Sequence, residues 1–177
     1  MKLTEKKLSG ETVYNGKILT LEVDEVELPD GKKAKRECVR HNGGAAVLCV
    51  INDEILLVKQ FRYLYGKEIY EIPAGKLEKN ENPVMAAARE LEEETGYVST
   101  KITPLLKLFP TPGYTDEVIH IYKAENCRLN SQKLDDGEFL DVQFIRTEKV
   151  LEMIEEGEIC DAKTVAAVCK YLYEQKK

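Results

Sequence analysis

The sequence has no apolar run approaching the roughly 20 residues that a membrane-spanning helix needs. Its first ten residues, MKLTEKKLSG, are charged and contain no apolar segment of the kind found in secretory signals. No segment recurs at a fixed period, which disfavours a repeat architecture. We therefore expect neither secretion nor a membrane anchor.

Cysteine and histidine are also sparse. The chain has five cysteines, an odd number without any C-x-x-C pair, at Cys38, Cys49, Cys127, Cys160 and Cys169. This pattern is typical of reduced thiols in a cytoplasmic protein, which is the location that we expect. The two histidines, His41 and His120, lack a partner at metal-ligand spacing, so we expect both to be structural or exposed. The motifs G-x-x-x-x-G-K-[ST] and G-x-S-x-G are missing, which disfavours an ATPase and covalent serine chemistry.

The 177 residues are enough for one well-buried domain and short for two, so we expect one catalytic domain with accessory strands. A composition of 43% hydrophobic and 33% charged residues is typical of a soluble globular protein. The net charge of -6 argues against sequence-independent nucleic-acid binding, which needs a clustered basic surface. An anionic substrate would need local arginines or metal ions.

The hydrophobic pattern predicts strands first and helices later. Residues 11–40 alternate around a turn at 29–31, which predicts a small antiparallel hairpin layer. Further strands are predicted at 45–51, 55–58, 67–72, 102–109, 117–123 and 140–145, and helices at about 83–95, after 147 and after 161. The segment 73–75 ends one strand, and a polar loop follows over 76–81. This order predicts helices packed on both sides of a mixed sheet.

The predicted helix over 83–95 is acidic. Asn82 is a candidate N-cap, Pro83 suits the first turn and Gly96 supplies the stop. Helical spacing predicts a packed stripe and, roughly opposite it, a cluster of charge: Val84, Ala88, Leu91 and Thr95 form the stripe, and Glu90, Glu93 and Glu94 form the cluster.

The acidic cluster has two interpretations. Glu90 and Glu94 lie one turn apart and repel by a few tenths of a kcal/mol, which a divalent cation would offset. Alternatively the acids form a solvated helix face, with Arg89 and Glu93 paired one turn apart.

The segment 75–97, GKLEKNENPVMAAARELEEETGY, fits the pattern G-x5-E-x7-R-E-U-x-E-E-x-G-U, where U is a bulky apolar residue. Here the sequence resembles the Nudix hydrolase family. Every charged and glycine position is present, and Tyr97 is the one departure, because an aliphatic residue is usual there. Such a match is far more specific than a lone glycine motif.

The resemblance implies an α/β fold, the Nudix α/β/α sandwich, over 43–177, with an N-terminal antiparallel strand extension over 1–42. It implies one or more Mg²⁺ or Mn²⁺ ions held by Glu90 and Glu94, with Glu93 assisting and the Ala74 carbonyl completing the site. Glu93 is thus also a catalytic candidate. Arg89 either orients the glutamates or forms a purely structural ion pair.

The flanks resemble the ADP-ribose pyrophosphatase branch of the family. Residues 60–63 match its Q-x-R-Y segment, 71–75 match its E-x-P-A-G entry, and Pro112 stands 15 residues beyond Tyr97. By this resemblance Arg62 meets phosphate or ribose, Glu117 accepts from ribose hydroxyls and Gly113 lets the backbone approach the ligand. Each also has an ordinary interpretation, as a surface strand residue, a strand-edge charge and a turn glycine.

Members of this branch are usually homodimers whose N-terminal strands reach the partner's site, and Arg36 and Glu37 match the position of such ligand contacts. Tyr14 would stack on adenine or simply pack. The loop 135–138 corresponds to the acidic loop that supplies a catalytic base or a further metal ligand. Glu138 aligns best with that acid and Asp136 is the second candidate, while a solvated acidic turn is the alternative.

The sequence thus favours metal-dependent hydrolysis of ADP-ribose to AMP and ribose 5-phosphate by a cytoplasmic homodimer. Another nucleoside diphosphate derivative, such as a sugar nucleotide, a dinucleotide polyphosphate or a damaged nucleotide, is the first alternative. An ADP-ribose sensor without catalysis is the second, and the intact glutamate set argues against it. An NADH-directed enzyme is disfavoured because the four-cysteine zinc module is missing.

Overall fold

The computed structural model describes residues 2–134 and 136–177, so Asp135 of the acidic loop lies outside the described residues. The chain divides into two compact units. The first runs through Gly43 and includes residues 109–118, and the second comprises residues 44–108 and 119–177. No helix in the described parts of the chain is long and apolar enough to cross a membrane.

The first unit contains an antiparallel sheet of three strands in the order β1-β2-β3, namely β1 (Lys6–Asn15), β2 (Leu19–Glu27) and β3 (Lys33–His41). The predicted turn at 29–31 is confirmed, with Gly31 at a φ of 83°. The prediction of one strand before that turn is wrong, because the chain also turns at Gly16, whose N–H donates to the Leu19 carbonyl at 2.9 Å. The Asn15-Gly16 pair is a strong hairpin signal that the alternating pattern obscured.

Residues 109–118 are attached to β3 within the same unit. The Val39 N–H donates to the Tyr114 carbonyl at 2.7 Å, and the Asp116 N–H donates to the Val39 carbonyl at 3.2 Å. The Asp116 carboxylate also accepts from the His41 N–H at 2.9 Å. This segment is therefore a loop, and the strand predicted from 117 begins at Ile119.

The second unit is built on a mixed sheet, as predicted. Its strands are β4 (Gly44–Ile51), β5 (Glu54–Arg62), β6 (Lys67–Glu71), β7 (Ala74–Lys76), β8 (Tyr97–Leu108), β9 (Ile119–Leu129) and β10 (Leu140–Arg146). The order is β10-β5-β4-β9-β8, with β6 paired to β5 and β7 to β4. The β4–β9 pair is parallel and the other pairs are antiparallel. A short 3₁₀ turn at Tyr63–Tyr65 separates β5 from β6.

Strand β7 was not predicted, because Pro73 and Gly75 read locally as a break followed by a loop. It forms because Gly44, Ala45 and Ala46 of β4 pair with residues 74–76. Tertiary pairing thus overrides the local signal.

Helices cover both faces of the sheet, which confirms the predicted α/β/α sandwich. Successive residues of β4 point to opposite faces, so Ala46 and Leu48 enter one core and Val47 enters the other. The first core is completed by α2 (Thr147–Glu155) and α3 (Ala162–Gln175), and the second by α1 (Pro83–Thr95).

The termini of α1 confirm the prediction. The Asn82 side chain accepts from the Val84 N–H, and Gly96 adopts a left-handed φ of 75° while donating to the Glu92 carbonyl. The packed face differs in part from the predicted stripe. Leu91 and Thr95 are buried as expected, whereas Val84 and Ala88 are only partly buried. The remaining buried positions are Ala86, Ala87 and Glu94.

Leu91 should be the main apolar anchor of α1, since its side chain is fully buried. We expect Leu91→Ala to lower the free energy of unfolding by about 2–5 kcal/mol, because it leaves a cavity against the sheet. Met85→Ala is the matched control, since Met85 lies on the same helix and is 63% exposed. Urea unfolding followed by circular dichroism measures both, and equal losses would contradict this packing.

Candidate active site

The acidic side of α1 meets β7 inside the second unit. Gly75 leaves room for the Glu90 carboxylate at this contact, because a Cβ atom there would overlap it and the carboxylate would have to move. The neighbouring Ala74 N–H donates to Glu94 Oε2 at 2.9 Å. Two glutamates one helical turn apart are therefore held against the same backbone segment.

Glu94 is the most deeply placed acid of the helix, with only 3% of its surface exposed. Its pKa is raised to about 8, chiefly by burial and also by the negative charges of Glu90 and Glu138, while the Ala74 hydrogen bond and the Lys163 charge oppose the rise. Burial also raises the pKa of Glu90, an effect that Arg89 opposes and that Glu93 and Glu138 reinforce. The interpretation of these acids as a solvated helix face is therefore wrong for Glu90 and Glu94.

Arg89 organises the outer side of this acidic cluster. Its Nε and Nη2 donate to the two Glu81 oxygens at 3.1 and 3.2 Å. Its Nη1 lies 2.7 Å from Glu90 Oε1 and donates to Glu93 Oε2 at 2.8 Å. The ion pair of Arg89 and Glu93, which the solvated-face interpretation included, is therefore present. The same guanidinium also contacts Glu81 and Glu90. Its arrangement suits an orienting role.

The acidic loop after β9 approaches the cluster through Glu138. This residue is half-buried, and its charge contributes to the raised pKa values of both Glu90 and Glu94. Asp136 is exposed and is not among the main causes of either shift. Of these two candidate acids, Glu138 is the one that the structure brings to the glutamates of α1.

The chain between β9 and this loop also holds the C-terminal end of α1. The Asn130 N–H donates to the Gly96 carbonyl at 2.6 Å, and the Lys133 N–H donates to the Glu93 carbonyl at 3.0 Å. The Gln132 side chain donates to the Glu94 carbonyl. These contacts satisfy carbonyls that a helix end leaves without partners, and they fix the turn that carries the acids.

The chemistry of the cluster fits a hard divalent cation. Among residues 2–134 and 136–177, no three or more Asp, Glu, His or Cys side chains surround a single point closely enough to hold an ion. Glu90 and Glu93 both contact the Arg89 guanidinium instead. Mg²⁺ nevertheless prefers carboxylate oxygens as ligands. The carboxylates of this cluster repel one another and so raise one another's pKa, and a bound cation would relieve the repulsion.

Arg62 belongs to a second charged group that the sequence did not reveal. Its Nε and Nη2 donate to the two oxygens of Glu71, and the Lys163 ammonium contacts the same carboxylate. Burial opposes ionisation of Glu71, but the Arg62 hydrogen bonds and the Lys163 charge outweigh it and lower its pKa. A glutamate between the apolar residues Tyr70 and Ile72 was the available signal, since such acids are seldom buried without a partner.

The start of α3 holds the segment that leads into β7. Asp161 caps the helix by accepting from the Thr164 N–H at 3.0 Å and from its hydroxyl at 2.6 Å. The Thr164 hydroxyl in turn accepts from the Ile72 N–H at 2.8 Å. The Pro73 carbonyl accepts from the Val47 N–H at 2.9 Å. Ala74 and Gly75 are thereby placed by helix and sheet together.

The remaining predicted binding residues lie in the first unit. Arg36 pairs with Glu5 through bonds of 2.6 and 2.9 Å, while Glu37 and Tyr14 are exposed. Gly113 faces open space. A Cβ atom added to it would lie more than 4 Å from every atom of the described residues other than those adjacent to it in the chain.

Glu117 contacts His41 within the first unit. Its Oε1 lies 3.5 Å from His41 Nδ1. That nitrogen accepts from the Gly43 N–H at 3.0 Å, so it is not available to donate to Glu117. The Glu117 carboxylate, about a quarter of whose side-chain surface is exposed, therefore keeps its hydrogen-bond acceptors for other donors.

Comparisons with known proteins place this geometry in context. The family model described as the NUDIX domain matches residues 40–168, and the model of the nucleoside diphosphate sugar hydrolase N-terminal domain matches residues 5–43. An ADP-ribose pyrophosphatase of Bacillus subtilis is 45% identical over 94% of this chain and 91% of its own length. A methanol dehydrogenase activator of Bacillus methanolicus is 44% identical over 97% of this chain and 94% of its own.

The fold also matches the solved structure of an ADP compounds hydrolase. The TM-score is 0.89, over 99% of this chain and 97% of the other. Because the sequence identity is 22%, this likeness concerns the fold alone.

The raised pKa of Glu94 predicts a dependence of stability on pH in chelator-treated protein. Because the folded pKa of about 8 lies above the ordinary glutamate pKa of about 4.5, the stability that protonated Glu94 contributes is complete below the ordinary pKa and is lost as pH rises to the folded pKa. The Glu94→Gln variant has no carboxylate to ionise at this position and does not lose this stability. The unfolding free energy of the variant minus that of wild type should therefore increase by at least about 1 kcal/mol between about pH 5 and pH 8.

Urea unfolding at each pH, with EDTA present, measures the difference. Glu155→Gln is the control, because Glu155 is exposed on α2 and should change the unfolding free energy by less than about 0.5 kcal/mol. If the difference in unfolding free energy between wild type and Glu94→Gln stayed constant across the pH range, burial would not be raising the pKa of the Glu94 carboxylate.

Proposed function

This chain belongs to the Nudix family and is a Nudix hydrolase, and we propose that it cleaves the diphosphate of ADP-ribose to AMP and ribose 5-phosphate. The observation that carries the proposal is the pair of acids, the buried Glu94 and the largely buried Glu90, against Ala74 and Gly75. The full-length similarity to an ADP-ribose pyrophosphatase supports this choice of substrate.

Glu90 and Glu94 would hold the divalent cations, with Glu93 assisting and the Ala74 carbonyl oxygen completing the set. Mg²⁺, or alternatively Mn²⁺, suits these hard oxygen donors, and more than one ion would be needed to balance both the acids and a diphosphate. When bound, the metal supplies charge neutralisation at the diphosphate oxygens and activation of the attacking water.

Glu138 is the proposed general base, because its carboxylate lies near the buried acids and is partly accessible. It would accept a proton from the attacking water, and the exposed Asp136 is the second candidate. Arg89 would orient the carboxylates of Glu90 and Glu93 through its observed contacts. Fixed orientation of these acids limits the reorganisation needed during the reaction.

Arg62 would receive the diphosphate or the adjoining ribose. Glu71 occupies its Nε and Nη2, so the Nη1 side of the planar guanidinium is left for an anionic ligand. Arg36, Glu37, Gly113 and Glu117, all in the first unit, are further proposed substrate-binding residues on the strength of the family resemblance. Tyr14 would stack on adenine, and its 59% exposure leaves the ring accessible.

We also propose a homodimer in the cytoplasm. All ten residues of β1 are exposed in the single chain, including the apolar Leu8, Val13 and Tyr14. An edge strand with exposed apolar side chains is the kind of surface that a second copy covers. The five free cysteines are consistent with a reducing compartment.

The alternatives are other nucleoside diphosphate derivatives and a sensor without catalysis. The relative named for dehydrogenase activation is almost as similar as the pyrophosphatase, so names alone do not choose the substrate. The sensor has less support, since a binding module gains nothing from burying mutually repelling carboxylates.

Product analysis tests the substrate directly. Purified protein is incubated with ADP-ribose, with GDP-mannose and with a dinucleotide polyphosphate, each with Mg²⁺ or with EDTA. We expect AMP and ribose 5-phosphate from ADP-ribose only when Mg²⁺ is present. Preferential cleavage of another compound would replace the substrate, and ADP-ribose that binds but survives would favour the sensor.

Glu94→Gln should lower kcat about a hundredfold or more, by analogy with the loss of a key electrostatic group, while the fold remains intact. Glu92→Gln is the matched control on the same helix, because Glu92 bonds to the Asn130 side chain and a glutamine oxygen can accept equally. Steady-state turnover of ADP-ribose measures both. Near-normal turnover by Glu94→Gln would overturn the metal assignment.

The dimer proposal predicts a sedimentation-equilibrium mass of twice the 20.1 kDa chain at micromolar concentration. Replacing the exposed Leu8 and Val13 of β1 by glutamate should shift the protein towards the monomer, because charge would have to be buried in the contact. The same double replacement at Tyr173 and Gln175, two exposed residues of α3, controls for added charge. A wild-type monomer, or a mass unaffected by the β1 changes, would contradict the assigned surface.

A further inference from the structure

Lys163 is a buried ammonium that the proposed mechanism does not use. Only 8% of the residue is exposed, which is unusual for lysine unless its charge is paired. Its Nζ contacts Glu71 Oε2 and lies 3.1 Å from Asp161 Oδ1. Asp161 is also the N-cap of α3, so Lys163 is anchored at a fixed helix start.

Glu71 does not require Lys163 for hydrogen-bond satisfaction. Arg62 already donates to both of its carboxylate oxygens, the geometry of a paired arginine and glutamate. Lys163 therefore adds a second positive charge to an acid that is already paired. The consequence is electrostatic. A Glu71 carboxylate shared between Arg62 and Lys163 neutralises the Arg62 charge less completely than a carboxylate paired with Arg62 alone.

Arg62 is the accessible member of this group. Its side chain is 42% exposed, compared with 6% for Glu71 and 10% for Lys163. Among the residues that the structure describes, its Nη1 has no hydrogen-bond partner. The Glu94 charge contributes to the raised pKa of Arg62, which places the guanidinium near the inner end of the acidic cluster.

We infer that Lys163 is a positioning residue for substrate binding, acting through Glu71 to fix the Arg62 guanidinium and preserve its positive charge for a diphosphate. The inference rests on the proposed function, in which Arg62 receives that diphosphate. Lys163 itself does not touch the ligand, since it is enclosed behind Glu71. Its effect should therefore depend on the Glu71 carboxylate.

A double-mutant cycle tests this dependence. The Kd of ADP-ribose is measured by calorimetry in EDTA, which prevents turnover, for wild type, Lys163→Met, Glu71→Gln and the double variant. We expect Lys163→Met to raise the Kd about fivefold in wild type and less than about twofold when Glu71 is already glutamine. In Lys163→Met the Glu71 carboxylate keeps both Arg62 hydrogen bonds, and in Glu71→Gln the Lys163 ammonium keeps Asp161, so neither buried charge is left without a partner.

Two further variants separate positioning from folding. Lys163→Arg keeps the charge and should hold the Kd within about twofold of wild type. Lys170→Met removes the same groups from the same helix, where the ammonium lies 2.8 Å from Glu174, and should leave the Kd unchanged. Thermal unfolding of every variant shows whether it is folded, and if Lys163→Met is not, Lys163→Gln takes its place in the cycle.

Each outcome is decisive. An unchanged Kd in Lys163→Met with lowered thermal stability would overturn the inference and leave a structural role. Equal factors in both backgrounds would overturn it too, because Lys163 would then act independently of Glu71. Wild type that binds ADP-ribose without cleaving it in Mg²⁺ would refute the proposed function while the cycle still decides the inference. Wild type that neither binds ADP-ribose in EDTA nor cleaves it in Mg²⁺ would refute both.

Discussion

The hydrogen bond from the Ala74 N–H to the Glu94 carboxylate joins the two elements that make the site. Strand β7 brings the backbone and α1 brings the acid, and Gly75 removes the side chain that would otherwise displace Glu90. Burying two carboxylates that repel each other is unfavourable, and a fold selected for stability alone would place neutral side chains there. Their retention is explained if the repulsion is relieved by a bound cation during function.

The surroundings of this contact serve to hold it. The sheet fixes one side through Val47 and Pro73, and α3 fixes another through Thr164 and Ile72. The chain after β9 holds the far end of α1. The network of Arg62, Glu71 and Lys163 adds positive charge beside the acids, which suits a substrate that is itself anionic and must approach them.

Local signals were sufficient for α1, because the Asn82 cap, the proline and the Gly96 stop all lie within the helix segment. They were insufficient wherever the deciding partner is distant in sequence. Strand β7 exists because β4 pairs with it, and Glu71 meets Lys163 across 92 residues. The burial of Glu94 was likewise hidden, since helical spacing alone placed it with Glu93 on an acidic face. The family motif nevertheless selected the acids that the fold brings together.

The central claim is that Glu90 and Glu94 hold the divalent cations that hydrolysis requires. Anomalous diffraction from crystals soaked in Mn²⁺ locates such ions without reference to activity. The account predicts manganese peaks beside the carboxylates of Glu90 and Glu94 and the carbonyl of Ala74, and their loss in crystals of the Glu94→Gln variant. Peaks elsewhere, or none in crystals whose dissolved protein still cleaves ADP-ribose with Mn²⁺, would contradict it.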